Sequence, residues 1–235
     1  MILFYLVIAA YLAILSLLLL YCAHRFYILY TYFKYKKRTG KTPHPVAQLP
    51  TVTVQLPVYN EMYVVRRLLD AAVGLRYPKG LLEIQVLDDS TDETSSIAQE
   101  HIRKLRAEGH AINYFHRPQR FGFKAGALQA GLEKARGELI AIFDADFVPG
   151  NDFLHQVVPC FADALVGMVQ TRWGHINRTY SLLTRLQSIF LDAHFMLEHT
   201  MRNRAGRFFN FNGTAGIWRK EAILSAGGWQ CDTLT

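Results

Sequence analysis

The sequence predicts an α/β domain with a mostly parallel sheet flanked by helices, preceded by one apolar N-terminal helix. Three observations carry this. Residues 1–23 contain no charged side chain. From Thr51 onward, short β-branched and aliphatic runs alternate with helical patterns. Such alternation implies right-handed βαβ crossovers. The acidic clusters fall just after three of the predicted strands, where open parallel sheets bind ligands.

The apolar run is long enough to cross a hydrocarbon core, which takes about 20 helical residues. Tyr5, Tyr21, Tyr27 and Tyr30 lie near its ends, as interfacial aromatics do. No Lys or Arg precedes Arg25, and Lys34, Lys36, Lys37, Arg38 and Lys41 follow. The basic flank places everything after residue 34 on the cytoplasmic side. A cleaved signal peptide would need a basic start and a small-residue cleavage site, and neither is present. The expected organisation is a membrane anchor over 1–33, a basic juxtamembrane linker over 34–50 with Gly40, Pro43, Pro45 and Pro50, and a catalytic domain over 51–235.

Residues 52–56 read as the first strand, ended by Pro57, and 61–72 as a helix with apolar positions at Val64, Val65, Leu68, Leu69 and Ala72. Strands follow at 82–87, 111–115, 138–143 and 167–171, with helices at 92–107, 122–135 and 152–161 between them. After residue 175 the pattern changes to a long helix over 180–201, an aromatic segment at 208–214 and a short helix over 219–225.

Composition narrows function little. Hydrophobic residues make up 51%, enough for a core, and the formal charge of +7 suits phosphates, anionic lipid or nucleic acid. Arg202, Arg204 and Arg207 have no recognised nucleic-acid module around them, so nucleic acid is not an expected partner. The three cysteines lack any paired or metal-type spacing and read as free thiols. His194 and Glu198, four apart with His199 beside them, converge too little for zinc.

Asp144-Ala145-Asp146 follows the hydrophobic run 139–143. Two carboxylates one residue apart at a strand end face one hard cation, Mg2+ or Mn2+, which bridges diphosphate oxygens. Asp88 and Asp89 follow another strand and read as ligands for a base or ribose hydroxyl; Asp92 reads as a helix cap. Lys124 opens a helix, and a lysine there makes an anion site. Gly126 and Ala127 alternatively serve only to pack that helix closely.

Six segments together carry a resemblance: 57–61 (Pro-Val-Tyr-Asn-Glu), 88–92 (Asp-Asp-Ser-Thr-Asp), 123–128 (Phe-Lys-Ala-Gly-Ala-Leu), 144–146 (Asp-Ala-Asp), 170–173 (Gln-Thr-Arg-Trp) and 211–216 (Phe-Asn-Gly-Thr-Ala-Gly). In this order and spacing, residues 50–235 resemble glycosyltransferase family 2, in particular its cellulose-synthase-like branch of glucomannan, mannan and β-glucan synthases. The resemblance implies a Rossmann-like GT-A fold and inverting transfer of a hexose from GDP-mannose or UDP-glucose to a growing β-linked glycan, with Mg2+ or Mn2+. By the same analogy Tyr59 and Glu61 lie beside the nucleotide, Asp89 meets the base, Lys124 the diphosphate, and Asp146 with Asp144 the metal, while Asp88 is counted with the donor site from its strand-end position. Arg172, Trp173, Asn212, Gly213 and Thr214 border the acceptor. An inverting transfer needs a general base. In the family it is the Asp of a Thr-Glu-Asp motif after the Gly-Gly-Trp turn, which here begins at Gly227 and runs to Thr235. The base is therefore expected beyond Thr235, with Asp232 placed too early to substitute. The 235 residues are expected to be inactive alone. Other readings are a non-catalytic nucleotide-sugar-binding remnant, a part of a split synthase with partner subunits, and a non-processive transferase acting on a lipid-linked acceptor.

Overall fold

The computed structural model describes residues 1–38 and 48–231. Most of the expected linker, with Gly40, Lys41, Pro43 and Pro45, and the terminal Asp232 and Thr233 lie outside the described residues. The chain divides into two units: Met1–Thr42 with Arg172–Asn210, and Pro43–Thr171 with Phe211–Thr235.

The second unit is built on a six-stranded sheet in the order β3-β2-β1-β4-β6-β5. Its strands are β1 (Val52–Val58), β2 (Leu82–Asp88), β3 (Ile112–His116), β4 (Leu139–Ile142), β5 (Met168–Gln170) and β6 (Gly216–Arg219). The four strands from β3 to β4 are mutually parallel. β6 runs antiparallel to both β4 and β5. β6 replaces what the sequence reads as the approach to a helix. The helix there, Lys220–Ser225, starts one residue late because Ile217 and Trp218 pair with Ala141 and Ile140.

Pro57 does not end β1, as expected, but lies inside it. The hydrogen-bond parity explains why. The Gln55 carbonyl accepts from Phe143 on the β4 side, and the Val58 carbonyl accepts from Asp89 on the β2 side. Pro57 shares the parity of Gln55, so its missing N–H faces the β4 side, where pairing stops at Gln55.

The helices of this unit are Val65–Val73, Thr94–Ala107, Phe123–Lys134 and Phe153–Val157, the last continued by a 3-10 turn over Val158–Ala162. The first of these starts later than the periodicity predicts because the Glu61 carbonyl accepts from both Val64 and Val65, closing a turn first. Val52, Val54, Leu56, Val86, Ile140 and Ile142 are fully buried, with Leu68, Leu69, Ala98 and Ile102 among the helix residues of the core. One sheet face also buries a polar row. Thr53 donates to Glu83 at 2.7 Å, Asn113 donates to Glu83 at 2.9 Å, and Gln55 donates to Gln85 at 3.1 Å.

The first unit contains the N-terminal helix, Ile2–Tyr35, which is long and apolar enough to cross a membrane. Its 34 residues span about 51 Å, more than a hydrocarbon core of about 30 Å. Burial begins only at Ile28 and Thr31. There the helix meets a second helical segment, Leu182–Ala193, His194–His199 and Thr200–Arg204, whose middle portion is a π-helix. Arg25 pairs with Glu198, Arg204 donates to the Lys36 carbonyl, and Arg207 donates to the Tyr27 hydroxyl at 2.5 Å. His194 bonds Glu198 at 3.1 Å. Among the described residues no group of three or more metal-ligating side chains gathers, there or elsewhere.

Candidate functional site

At the carboxyl ends of β1, β2 and β4, a cleft of about 350 Å3 opens, lined by Pro57, Val58, Tyr59, Glu61, Leu87, Asp89, Arg120, Lys124, Ala127 and the Asp144–Asp146 segment. Each side chain is delivered by a local device.

Asn60 sits between Tyr59 and Glu61 with φ of 55°, a left-handed conformation that asparagine tolerates. Its N–H donates to Ser90 Oγ at 2.9 Å, and its Oδ1 accepts from the Thr91 N–H at 2.9 Å. These two bonds tie the end of β1 to the loop after β2 and turn Tyr59 and Glu61 into the cleft. Burial raises the Glu61 pKa above the usual carboxylate range, and Asp146 and Asp144 push it further.

Asp88 and Asp89 have different roles. Asp88 is fully buried and does not line the cleft. It accepts from the Ser90 N–H at 2.9 Å, the Ser95 hydroxyl at 2.6 Å and the Tyr114 hydroxyl at 2.5 Å. Burial pushes its pKa up, but those bonds outweigh it and hold the carboxyl below its ordinary value. Asp88, expected at the donor, here spends its lone pairs on the loop that leads into Thr94–Ala107. The expected cap, Asp92, accepts from the Thr94 N–H at 2.9 Å from outside that helix. Asp89 does line the cleft, yet both its oxygens are held by Arg117, at 2.7 Å and 2.5 Å.

Arg117 goes on to donate to the Phe121 carbonyl at 3.1 Å and the Phe123 carbonyl at 3.0 Å. The loop so clamped ends in two left-handed residues, Gly122 (φ 69°) and Phe123 (φ 49°), and opens the helix that carries Lys124. Gly126 is required here, since a Cβ on it would lie 2.1 Å from the Phe121 carbonyl oxygen. Sequence reasoning missed both Arg117 and Arg120. Their signal was two arginines three apart, the second of them two residues before the glycine that turns into a helix.

Lys124 Nζ pairs with Asp144 and donates to the Gly213 carbonyl at 2.9 Å. The Asp144 N–H donates to Thr214 Oγ1 at 2.9 Å. Burial raises the Asp144 pKa; Lys124 opposes this and Asp146 adds to it. Asp146 is exposed at the cleft rim. The acidic pair therefore comprises one half-buried carboxylate paired with a lysine and one exposed carboxylate, both lining the cleft.

The five expected acceptor residues separate. Gly213 and Thr214 buttress the acidic pair, and Thr214 is buried. The Asn212 N–H donates to Gln170 Oε1 at 2.8 Å. Thr214 is followed by Ala215 with φ of 52°. Arg172 and Trp173 belong to the other unit, where Arg172 approaches the Met196 sulfur at 3.5 Å and the Trp173 ring packs on Phe195 at 5.2 Å.

The donor set suits a cation shared with a substrate. Four carboxylates line the cleft, Glu61, Asp89, Asp144 and Asp146, and among the described residues no three metal-ligating side chains gather into one group. Mg2+ and Mn2+ sites of this kind are completed by phosphate oxygens and water.

Comparison with known proteins identifies the family and the fold. The Glycosyl transferase family 2 profile matches residues 53–225. A probable glucomannan 4-beta-mannosyltransferase 7 of Oryza sativa subsp. japonica is 45% identical over 188 residues, covering 78% of this chain and 32% of the relative. Glucomannan 4-beta-mannosyltransferase 2 of Arabidopsis thaliana is 43% identical over 189 residues, covering 78% and 35%. The mannosyltransferase PcManGT from Pyrobaculum calidifontis, solved in complex with GDP-Man and Mn2+, superposes with a TM-score of 0.71 at 27% identity, covering 92% of this chain and 59% of its own. The fold is GT-A, a mostly parallel sheet flanked by helices. The chain belongs to glycosyltransferase family 2. It spans about a third of the length of the curated relatives it matches.

Proposed function

We propose that the cleft binds a nucleotide-diphosphate sugar, GDP-mannose before UDP-glucose, and that the protein transfers its hexose with inversion to a growing β-linked glycan. The observation that carries this reading is the convergence of Tyr59, Glu61, Lys124, Asp144 and Asp146 in one cleft at the carboxyl ends of parallel strands. The choice of GDP-mannose is supported by relatives named as glucomannan mannosyltransferases and by a structural neighbour solved with GDP-Man.

In this reading Lys124 and the N-terminus of its helix hold the diphosphate, as a positive helix end does. Asp144 and Asp146 hold a divalent cation, which when bound neutralises charge building on the departing nucleotide. Lys124 pairs with Asp144, and Thr214 fixes the Asp144 backbone, so the chain itself positions this carboxylate. Tyr59 offers a ring face to the nucleobase. Asp89 acts through Arg117 on the phosphate loop. Among the described residues none is assigned as general base. Arg172 and Trp173 are assigned to the acceptor, where an indole stacks on a sugar face. The domain division at 33 and 50, and a cytoplasmic catalytic domain behind a single N-terminal span, complete the proposal, supported by the length of the first helix and its basic flank.

The test is nucleotide release in membranes carrying the protein in its longest natural form, with GDP-mannose, UDP-glucose and UDP-N-acetylglucosamine and with Mg2+ or Mn2+. GDP-mannose is expected to give the highest rate. Release from none of them refutes the enzyme reading; preference for UDP-glucose refutes the mannosyl assignment.

A further inference from the structure

We propose that Arg120 is a second cation of the donor cleft, pairing with the diphosphate alongside Lys124. The proposal rests on the donor-site reading above and adds a residue to it.

Charge accounting leads to Arg120. Arg117 is committed to Asp89 at 2.7 Å and 2.5 Å. Lys124 is committed to Asp144 and to the Gly213 carbonyl. Arg120 lines the same cleft, and among the described residues its side chain has neither an ion pair nor a hydrogen bond. Its Nε is buried without a partner. The guanidinium lies 3.5 Å above the Tyr59 ring centroid and 5.1 Å from that of Phe123. Stacking on two rings holds the plane of the guanidinium and leaves its edge for an acceptor. A buried polar group without a partner is rare unless a ligand supplies one.

The position of Arg120 is also fixed in advance. It lies in the loop that Arg117 clamps through the Phe121 and Phe123 carbonyls at 3.1 Å and 3.0 Å. The bend through Gly122 and Phe123 and the close approach of Gly126 to Phe121 restrict the loop from its other end. Little order is left to be lost on binding, which favours the bound state. A planar fork of N–H donors matches phosphate geometry.

The alternative is that Arg120 stacks on the nucleobase rather than pairing with phosphate. Calorimetric titration of GDP, GMP, UDP and UMP, with Mn2+ present, separates the two. It is carried out on the wild-type protein and on Arg120→Ala and Arg120→Lys, each checked for an unchanged melting temperature. Loss of one charge-assisted contact weakens a nucleoside diphosphate by about 10- to 100-fold. Arg120→Ala is expected to show that loss for the preferred diphosphate and a much smaller one for its monophosphate, with Arg120→Lys recovering part. Equal losses for diphosphate and monophosphate, or no loss, overturn the proposal. Should Arg120→Ala melt early, the Arg120→Lys comparison alone decides: a lysine that restores neither nucleotide preferentially also overturns it. Failure of the wild-type protein to bind any of the four refutes the donor-site reading instead.

Discussion

Replacing Arg117 with alanine strands the Asp89 carboxylate, which is 4% exposed, beside a loop over residues 117–123 that has lost its clamp. Breaking a fully buried pair by removing one partner costs about 3–5 kcal/mol. Arg117 is itself 21% exposed, so water screens part of the interaction, and about 2–4 kcal/mol is the expected loss. For a domain of this size that lowers the melting temperature by about 5–15 °C. The assay is thermal unfolding in detergent, followed by tryptophan fluorescence. The double variant Asp89→Asn with Arg117→Gln removes the stranded charge and is expected to recover at least half of the lost stability. Its nucleotide affinity stays low, because the Phe121 and Phe123 carbonyls are no longer held. A single Arg117→Ala variant that melts within 1 °C of wild type would refute the reasoning, as would a double variant less stable than the single one.

Gly126→Ala places a methyl group against the Phe121 carbonyl, and overpacking of that severity costs about 1–3 kcal/mol; melting and nucleotide affinity are expected to fall together, and an unaffected affinity argues against a rigid loop. The folded-state pKa of Asp88 lies below its ordinary value. Its contribution to stability is therefore complete above the unfolded-state pKa and is lost as pH falls through the folded one. Asp88→Asn is expected to flatten the acid limb of a stability-against-pH curve; an unchanged slope contradicts this. Glu61 and Asp144 have raised pKa values. Metal and donor together are expected to release protons on the acid side, read by calorimetry in buffers of different ionisation enthalpy; a buffer-independent enthalpy there counts against the cation site. A charged residue at the centre of the first helix, Leu12→Arg, costs about 2.5–3.5 kcal/mol of membrane insertion, so a protein that still resists carbonate extraction fully would speak against a single span there.

The place of the cleft was legible because its carboxylates stand at strand ends. The hydrophobic run before Asp144 identifies β4, and the parallel topology follows from alternation. What stayed hidden depends on packing. The patterns Val-Thr-Val-Gln-Leu in β1 and Leu-Glu-Ile-Gln-Val in β2 alternate as half-exposed strands do, yet Thr53, Gln55, Glu83 and Gln85 are buried. The helix over Phe123–Lys134 covers them with small residues; a Cβ on Gly131 would meet the Gln55 amide at 2.6 Å. β6 was invisible because four residues carry no usable period and its partner strand lies far away in sequence. Asp88 and Asp89 are adjacent and chemically identical; only the pleat, which sends one toward Tyr114 and the other toward Arg117, distinguishes them. The bond from Thr214 to Asp144 spans 70 residues, so no local pattern announces it.

The central claim is that Asp144 and Asp146 hold a divalent cation together with the donor diphosphate. Calorimetric titration of GDP-mannose into the wild-type protein and into Asp146→Asn, each with Mn2+ and with EDTA, tests it most directly. The account predicts wild-type binding that weakens at least about 10-fold in EDTA, and an Asp146→Asn variant whose weaker binding is the same in both. Equal Mn2+ dependence in the two proteins would contradict it.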